Sequence, residues 1–170
     1  MEMPDTAYQE FLAVVSAADL TSERLFGALE ALVRVLVGAK LFTVTTEDDE
    51  RLVARRLYST NPEVYPVHGE KPYELNEWTD VVNVGKRSFV ANDIETIARV
   101  FHDADVMKSI GCEAIINVPV IIGGKVVATL NCSHEAGYYT EDRVAASEQL
   151  KLPGTICILL HEKLEKELAA

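Results

Sequence analysis

Apolar positions in the first third of the chain recur at helical spacing and then change to strand spacing. The first amphipathic helix is predicted within residues 1–20 by Tyr8, Phe11, Leu12 and Val15. A second helix is predicted from the N-cap pair Thr21-Ser22 to Gly38, with an apolar face of Leu25, Phe26, Leu29, Leu32, Val33 and Leu36. Lys40–Thr46 and Leu52–Ser59 then read as two strands around the acidic turn Glu47–Glu50.

A β-hairpin is the clearest element of the second half. Two runs rich in β-branched residues, within Ala114–Ser133, are joined by Gly123-Gly124, which can take the positive φ angles of a type I′ turn. Asn117, Thr129 and Asn131 share a parity in the two strands, so we expect them on one sheet face. Polar groups on this otherwise apolar hairpin suggest the lining of a small-molecule pocket.

Shorter elements are predicted on either side of this hairpin. Asn61–Leu75 contains three prolines and a glycine, which indicates a loop that could act as a lid. Short helices are predicted after Asn76 and Asp93, around a strand at Ser88–Ala91, and a terminal helix begins at Thr140 and should kink at Pro153-Gly154. The resulting order predicts an α+β domain with helices gathered against an antiparallel sheet.

Composition limits the possible partners. The 170 residues carry a net charge of −11, which opposes binding to nucleic acid. The small basic clusters are typical of a solvated surface; they comprise Arg51, Arg55, Arg56, Lys86 and Arg87. The longest apolar run is too short to cross a membrane and no secretory signal is visible, so we expect a cytoplasmic protein.

Three cysteines and four histidines offer little metal or disulfide chemistry. Cys112, Cys132 and Cys157 are widely spaced, which favours reduced thiols in a core over a disulfide or zinc site. His134-Glu135 begins like a zinc-protease motif, but Tyr138 stands where the second histidine would be needed. We therefore predict no metal site and no catalytic residues, and the residues identify no cofactor.

The chain resembles a GAF domain over about Thr21 to Leu160. The resemblance rests on the amphipathic helix before Ala39-Lys40-Leu41-Phe42, on Ser88–Asp93, on Gly111–Val120, on the Gly-Gly-Lys hairpin, and on Ala128-Thr129-Leu130-Asn131. It implies one GAF-like (profilin-like) domain over residues 1–170, with a helix at 1–20, a core at 21–160 and a helical extension at 155–170. The implied sheet has five or six antiparallel strands, with the terminal helices on one face and short helices and loops enclosing a pocket on the other.

Known GAF chemistries match this sequence poorly. Members that bind cyclic nucleotides carry an Asn-Lys-Phe-Asp-Glu signature, and here only Phe101 and Asp105 approach it, with Val106 in place of the glutamate. Members that attach bilins use a cysteine beside a histidine, a pair that this sequence lacks. The branch that reduces free methionine sulfoxide uses acidic positions that correspond here to Ile115, Asn131 and Ser133; Cys112 has no second cysteine nearby.

The prediction is therefore a sensor that binds a small organic ligand without catalysis. The candidate ligand-binding residues are Tyr58, Trp78, Phe89, Phe101, Ile115, Asn117, Thr129 and Asn131. Two alternatives stay open: a methionine sulfoxide reductase-like enzyme, and an interaction module whose cavity is filled. The asparagines also have a second interpretation, in which a neighbouring loop satisfies them. The apolar faces of the terminal helices suggest a homodimer.

Overall fold

A six-stranded antiparallel sheet forms the centre of the molecule. The computed structural model describes residues 4–48 and 50–170. The strands are β1 (Leu41–Asp48), β2 (Val53–Ser59), β3 (Glu70–Pro72), β4 (Phe89–Ala91), β5 (Ala114–Ile122) and β6 (Lys125–His134). They lie in the order β3-β2-β1-β6-β5-β4, so that the three-residue strands β3 and β4 are the outermost. Asp49, in the predicted turn between β1 and β2, lies outside the described residues.

Helices cover both faces of this sheet. They are α1 (Pro4–Val15), α2 (Ser22–Leu36), α3 (Glu77–Thr79), α4 (Ile94–Val100), α5 (Ala104–Ser109), α6 (Glu141–Ser147) and α7 (Lys151–Ala169). A π-helical turn, Asp80–Val84, follows α3, and a 3₁₀ turn, Glu148–Leu150, joins α6 to α7. Residues 1–3 of the predicted first helix lie outside the described residues. Within the described chain, no helix is both long and apolar enough to span a bilayer.

Two hydrophobic clusters divide the molecule at the sheet. The larger one packs α1, α2 and α7 on one face, where Phe26, Leu29 and Ile116 are almost fully buried. The smaller one packs α3, α4 and α5 on the other face, around Trp78, Ile97 and Met107. This confirms the predicted α+β fold, with terminal helices on one side of the sheet and short helices and loops on the other.

Local sequence signals account for several element boundaries. Thr21 caps α2 by accepting a hydrogen bond from the amide of Arg24 at 3.3 Å. Asp93 caps α4 in the same way, through the amide of Thr96 at 2.7 Å. Between β5 and β6, Gly123 and Gly124 take φ angles of 58° and 80°, as the predicted type I′ turn requires.

The end of the chain differs from the single kinked helix that the sequence predicted. The helix from Thr140 stops at Ser147, and α7 begins at Lys151, before Pro153. Pro153 therefore lies in the first turn of α7, where its missing N–H is not needed. Gly154 lets α7 approach the sheet closely, because a Cβ there would lie 2.7 Å from Leu130 Cδ1 and 3.2 Å from Val120 Cγ2.

The predicted loop Asn61–Leu75 contains a strand that the sequence did not reveal. β3 pairs with β2 through Val53–Pro72, Ala54–Lys71 and Arg55–Glu70. Proline is tolerated here because β3 is an outer strand that need not donate on its free side. Arg51 on the preceding turn binds Glu70 through two hydrogen bonds, of 2.9 and 2.6 Å. The segment is thus a covering loop tied to the sheet at its C-terminal end.

Candidate functional site

A cavity of about 180 Å³ lies between the sheet and the short helices. Its floor is the face of β1, β5 and β6 that carries Thr45, Asn117 and Asn131. Its roof comes from the covering loop, α3 and the segment between α4 and α5, including Tyr65 and Phe101. Polar groups therefore lie below and aromatic rings above, which is the usual composition of a small-molecule site.

A row of polar side chains crosses the cavity floor. The indole Nε1 of Trp78 donates to Asn117 Oδ1 at 2.9 Å, and Asn117 Nδ2 donates to Asn131 Oδ1 at 2.6 Å. Asn131 Nδ2 in turn donates to the hydroxyl oxygens of Thr43 and Thr45, at 3.2 and 3.1 Å. The two asparagines are directly paired across β5 and β6, so their amides are satisfied by each other and by the side chains of Trp78, Thr43 and Thr45 rather than by loop backbone.

A carboxylate continues the floor toward β2. Thr129 Oγ1 donates to Glu47 Oε1 at 3.2 Å, and both residues line the cavity. Ser133, two residues after Asn131 in β6 and therefore on the same face, lines the other end of the floor. Thr129 and Ser133 are each only 2% exposed, so the floor is polar but closed to bulk water.

Aromatic rings form the roof in a chain of edge contacts. Trp78 lies between Tyr73 and Phe101, at centroid distances of 6.4 and 5.9 Å. Phe101 also contacts Phe89 at 6.3 Å, with the ring planes nearly perpendicular. Asn76 fixes the Trp78 backbone by accepting from its amide at 2.9 Å, while its side-chain amide donates to the Val100 carbonyl at 2.9 Å. The roof is thus held to α4 as well as to α3.

The structure brings six of the eight candidate residues together around the cavity. They are Trp78, Phe101, Ile115, Asn117, Thr129 and Asn131. Phe89 does not line the cavity but packs behind Phe101. The shared parity of the three polar residues places them on one face, as the sequence predicted. Whether they contact a ligand stays a prediction.

Tyr58 requires a correction, because it lies on the opposite face of the sheet. Its hydroxyl donates to Glu30 Oε2 at 2.7 Å and its ring packs 5.9 Å from Phe26. The reason is a bulge in β2: Val44 pairs with Tyr58 and Thr45 pairs with Arg56, so Leu57 is an extra residue. Strand alternation alone would have placed Tyr58 and Arg56 on the same side.

Arg56 and Tyr65 are among the cavity residues that sequence reasoning missed. Arg56 was grouped with Arg55 as surface charge, yet only Arg55 is exposed, while Arg56 is partly buried at the cavity. Alternation between neighbouring strand residues is the signal that could have separated them. Tyr65 lies in the covering loop, whose path over the sheet has no local sequence signature.

Thiol chemistry is poorly supported by the environment of the cysteines. All three are free and buried. Burial raises the pKa of Cys132 and of Cys157 to about 12 and also raises the pKa of Cys112. A nucleophilic cysteine needs a lowered pKa, because the thiolate is the reactive form. Among residues 4–48 and 50–170, no three histidine, cysteine or acidic side chains are grouped as metal ligands would be.

Comparison with known proteins agrees with this architecture. The family model described as GAF domain matches residues 23–150. The GAF domain of a phosphoenolpyruvate-protein phosphotransferase from Coxiella burnetii is similar over 96% of both chains, at 14% identity and a TM-score of 0.70. The phycocyanobilin-bound GAF domain of a cyanobacterial phytochrome gives 13% identity and a TM-score of 0.67, over 95% of this chain and 96% of that one.

A GAF domain/HD domain protein from Geobacter sulfurreducens is also similar, with 10% identity and a TM-score of 0.66 over 88% of this chain and 97% of that one. No curated protein sequence gives a significant match. At these identities the structural matches establish the fold alone. The family model covers most of the chain, and with the six-stranded sheet and its two helical layers it shows that this chain belongs to the GAF domain family.

Proposed function

We propose that the chain is a sensor domain that binds a small organic molecule in the cavity and does not catalyse a reaction. The observation that carries this proposal is a space of about 180 Å³ with a polar floor and an aromatic roof. A polar floor combined with an aromatic wall is typical of small-molecule sites. The interaction module with a filled cavity is correspondingly less well supported.

Cavity size restricts the ligand. Sites for drug-sized molecules usually measure about 300–1,000 Å³, and this cavity is smaller. The phycocyanobilin that the cyanobacterial neighbour binds is a linear tetrapyrrole, far too large for it. The ligand should be of the size of an amino acid or a single substituted aromatic ring.

Alternation within β6 gives ligand binding a route to the opposite face. Asn131 lies on the cavity floor, and its neighbour Leu130 lies against Gly154 of α7. A shift of Asn131 on ligand binding would move Leu130. Because Leu130 already packs tightly against α7 at Gly154, α7 would have to move with it. Differential contacts of this kind are what a ligand needs to shift a conformational equilibrium.

The proposal includes a homodimer through the terminal helices and a cytoplasmic location. Exposed leucines support the dimer: Leu12 of α1 is 61% exposed, and Leu159 and Leu168 of α7 are 48% and 83% exposed. Three free buried thiols support a reducing compartment.

Native mass spectrometry of freshly purified protein tests the ligand directly. We expect a bound small molecule on the wild type and none on Ile115→Phe, which fills the cavity from its wall. Ile122→Phe is the matched control, because Ile122 lies in the same strand but outside the cavity lining. A ligand at a hundred times its Kd stabilises a protein by about 2.7 kcal/mol, which corresponds to a rise in Tm of about 5–10 °C at this size. Absence of both a bound mass and any stabilisation would count against the sensor.

A further inference from the structure

Arg56 is a partly buried cation with most of its hydrogen-bonding capacity unused. Its Nη1 donates to the Pro66 carbonyl at 3.0 Å, and its guanidinium carbon lies 5.1 Å from the centre of the Tyr65 ring. Nε is buried and donates to no acceptor in the described parts of the chain. No described carboxylate lies within ion-pair distance of this guanidinium, in contrast to Arg51, which binds Glu70. The Asp103 carboxylate acts on Arg56 only from beyond ion-pair distance. Arginine offers a planar fork of donors, so this fork is free to bind an anion.

Tyr65 presents a second buried donor beside Arg56. The residue is 7% exposed, and its hydroxyl is buried without a hydrogen bond of good geometry among the described residues. Burial raises the pKa of this hydroxyl, and the charge of the Asp103 carboxylate and a poorly aligned hydrogen bond to it raise the pKa further, so the phenol keeps its proton and can donate to a better placed carboxylate. Buried donors without partners are unfavourable and uncommon in folded proteins. Here two of them border one cavity.

We infer that the cavity takes a small organic carboxylate whose carboxylate group binds Arg56 and Tyr65. This inference rests on the proposed ligand-binding function and adds the chemical class of the ligand. A carboxylate matches the guanidinium fork and has lone pairs left for the phenol hydroxyl. Trp78 and Phe101 supply the surface for the apolar body of the molecule, which an inorganic anion lacks.

Acidic residues around the same cavity limit how many carboxylates the ligand can carry. Glu47 lines the floor, and Asp103 and Glu74 line the side toward α5. The lining holds these three carboxylates against the two cations Arg56 and Lys71, so a second carboxylate on the ligand would meet an excess of like charge. The site therefore favours a monocarboxylate over a dicarboxylate, and a ligand with a donor group at its far end over one without.

Binding of matched probe pairs tests this inference on the full chain. The pairs are benzoate with benzamide, phenylacetate with phenylacetamide, and L-leucine with L-leucinamide. Succinate, glutarate, inorganic phosphate and sulfate complete the set. Binding is followed by thermal shift and by the fluorescence of Trp78, which is the sole tryptophan and lies in the cavity wall. We expect at least one carboxylate to bind about tenfold or more tightly than its amide and more tightly than either dicarboxylate, since each 1.4 kcal/mol is tenfold.

Two substitutions assign that preference to the proposed residues. Tyr65→Phe should weaken carboxylate binding about tenfold while leaving the Tm of the free protein unchanged or higher, because it removes an unsatisfied hydroxyl. If the hydroxyl served only to stabilise the fold, Tyr65→Phe would lower the Tm of the free protein and leave carboxylate binding unchanged. Arg56→Gln should abolish the preference for the carboxylate over its amide, and Arg56→Lys should restore part of it.

The matched controls lie on the other face of the sheet. Arg55→Gln changes an exposed neighbour of Arg56, and Tyr58→Phe removes a hydroxyl that is bonded to Glu30. Neither should change binding, although Tyr58→Phe should lower the Tm.

The outcomes distinguish failure of the carboxylate inference from failure of the proposed ligand binding. Binding of amides alone, equal binding of inorganic phosphate, or a preference that survives Arg56→Gln would overturn the carboxylate and leave the ligand-binding cavity supported. No binding by any probe, with no bound mass in native spectra, would count against both.

Discussion

Single side chains determine how closely α7 packs on the sheet. Gly154 faces Leu130, which is fully buried and cannot move into solvent. Gly27, in α2, is the matched glycine, because a Cβ there would meet nothing within 4 Å. The two positions therefore separate a packing role from ordinary helix propensity.

We expect Gly154→Ala to lower the free energy of unfolding by about 1–3 kcal/mol, the usual effect of overpacking a core. Gly27→Ala should instead raise it by about 0.5–1 kcal/mol, since alanine favours the helix. Urea denaturation of the two variants measures both values. A neutral Gly154→Ala would mean that α7 does not press on Leu130.

Protonation of His161 should contribute to the pH dependence of stability. Burial lowers the pKa of His161, whose Nδ1 lies 2.7 Å from Ser22 Oγ. A histidine with a lowered pKa takes up its proton more readily in the unfolded chain, so stability rises with pH in this range. We expect a loss of stability as the pH falls below about 6.5, the ordinary pKa of histidine.

Thermal unfolding of wild type and His161→Gln between pH 7.5 and 5 measures this contribution, and the variant should lose less. His134 needs the same comparison, because burial lowers its pKa too. Hydrogen bonds to Arg51 and Lys40 lower the pKa values of Glu70 and Glu135. Protonation of these carboxyl groups therefore affects stability only at a lower pH than protonation of the histidines. Identical pH profiles for the wild type and the His161 variant would contradict the assignment.

At the scale of elements, a short capped helix positions the roof of the cavity. Asn76 forms a capping box with Thr79 and also reaches α4 through the Val100 carbonyl. The three-residue helix α3 could not persist alone, because isolated helical turns are unstable. The hydrogen bonds of Asn76 therefore hold the backbone of Trp78 in place at the start of this short helix.

We expect Asn76→Ala to lower the free energy of unfolding by about 1–2 kcal/mol, the usual effect of losing an N-cap. It should also make Trp78 more accessible to water, seen as a red shift of its fluorescence and faster quenching by acrylamide. Asp93→Ala, which removes the cap of α4 without contacting Trp78, is the control. An equal red shift in both variants would mean that Asn76 has no particular role at the roof.

Elements with strong local signals could be predicted, and those that depend on pairing could not. The glycine turn, the caps at Thr21 and Asp93 and the parity of Asn117 and Asn131 follow from conformational preference and strand alternation. The bulge at Leu57 and the strand β3 depend on partners distant in sequence. The bulge accounts for the misplaced Tyr58, whereas Arg56 could have been separated from the exposed Arg55 by alternation. Local propensity does not indicate which distant strand a segment will pair with.

At the scale of the whole molecule, the sheet separates the cavity from the layer of terminal helices. The cavity occupies one face, and α1, α2 and α7 occupy the other. α1 packs on α2, and α2 packs on α7, so both terminal helices share one layer. Their exposed leucines are therefore available to a second copy without obstructing the cavity.

We expect the protein to elute as a dimer in size-exclusion chromatography with light scattering, and Leu12→Glu or Leu168→Glu to shift it toward the monomer. Burial of a charge without a partner is what makes these changes disruptive. Leu75→Glu is the control, because Leu75 is 72% exposed on the loop before α3. A wild-type monomer at high concentration would rule out this dimer.

The shortness of β3 and β4 also governs how copies of the protein can meet. Both edges of the sheet are three residues long, and β3 ends at Pro72, which cannot donate a hydrogen bond. β6 lies between β1 and β5, and the outer flank of β5 pairs with β4 at residues 115–117, while the rest of that flank contains Pro119 and the buried Val118 and Val120. Strand addition and fibre growth from the native state are thereby disfavoured, and aggregation on storage should follow the rate of unfolding.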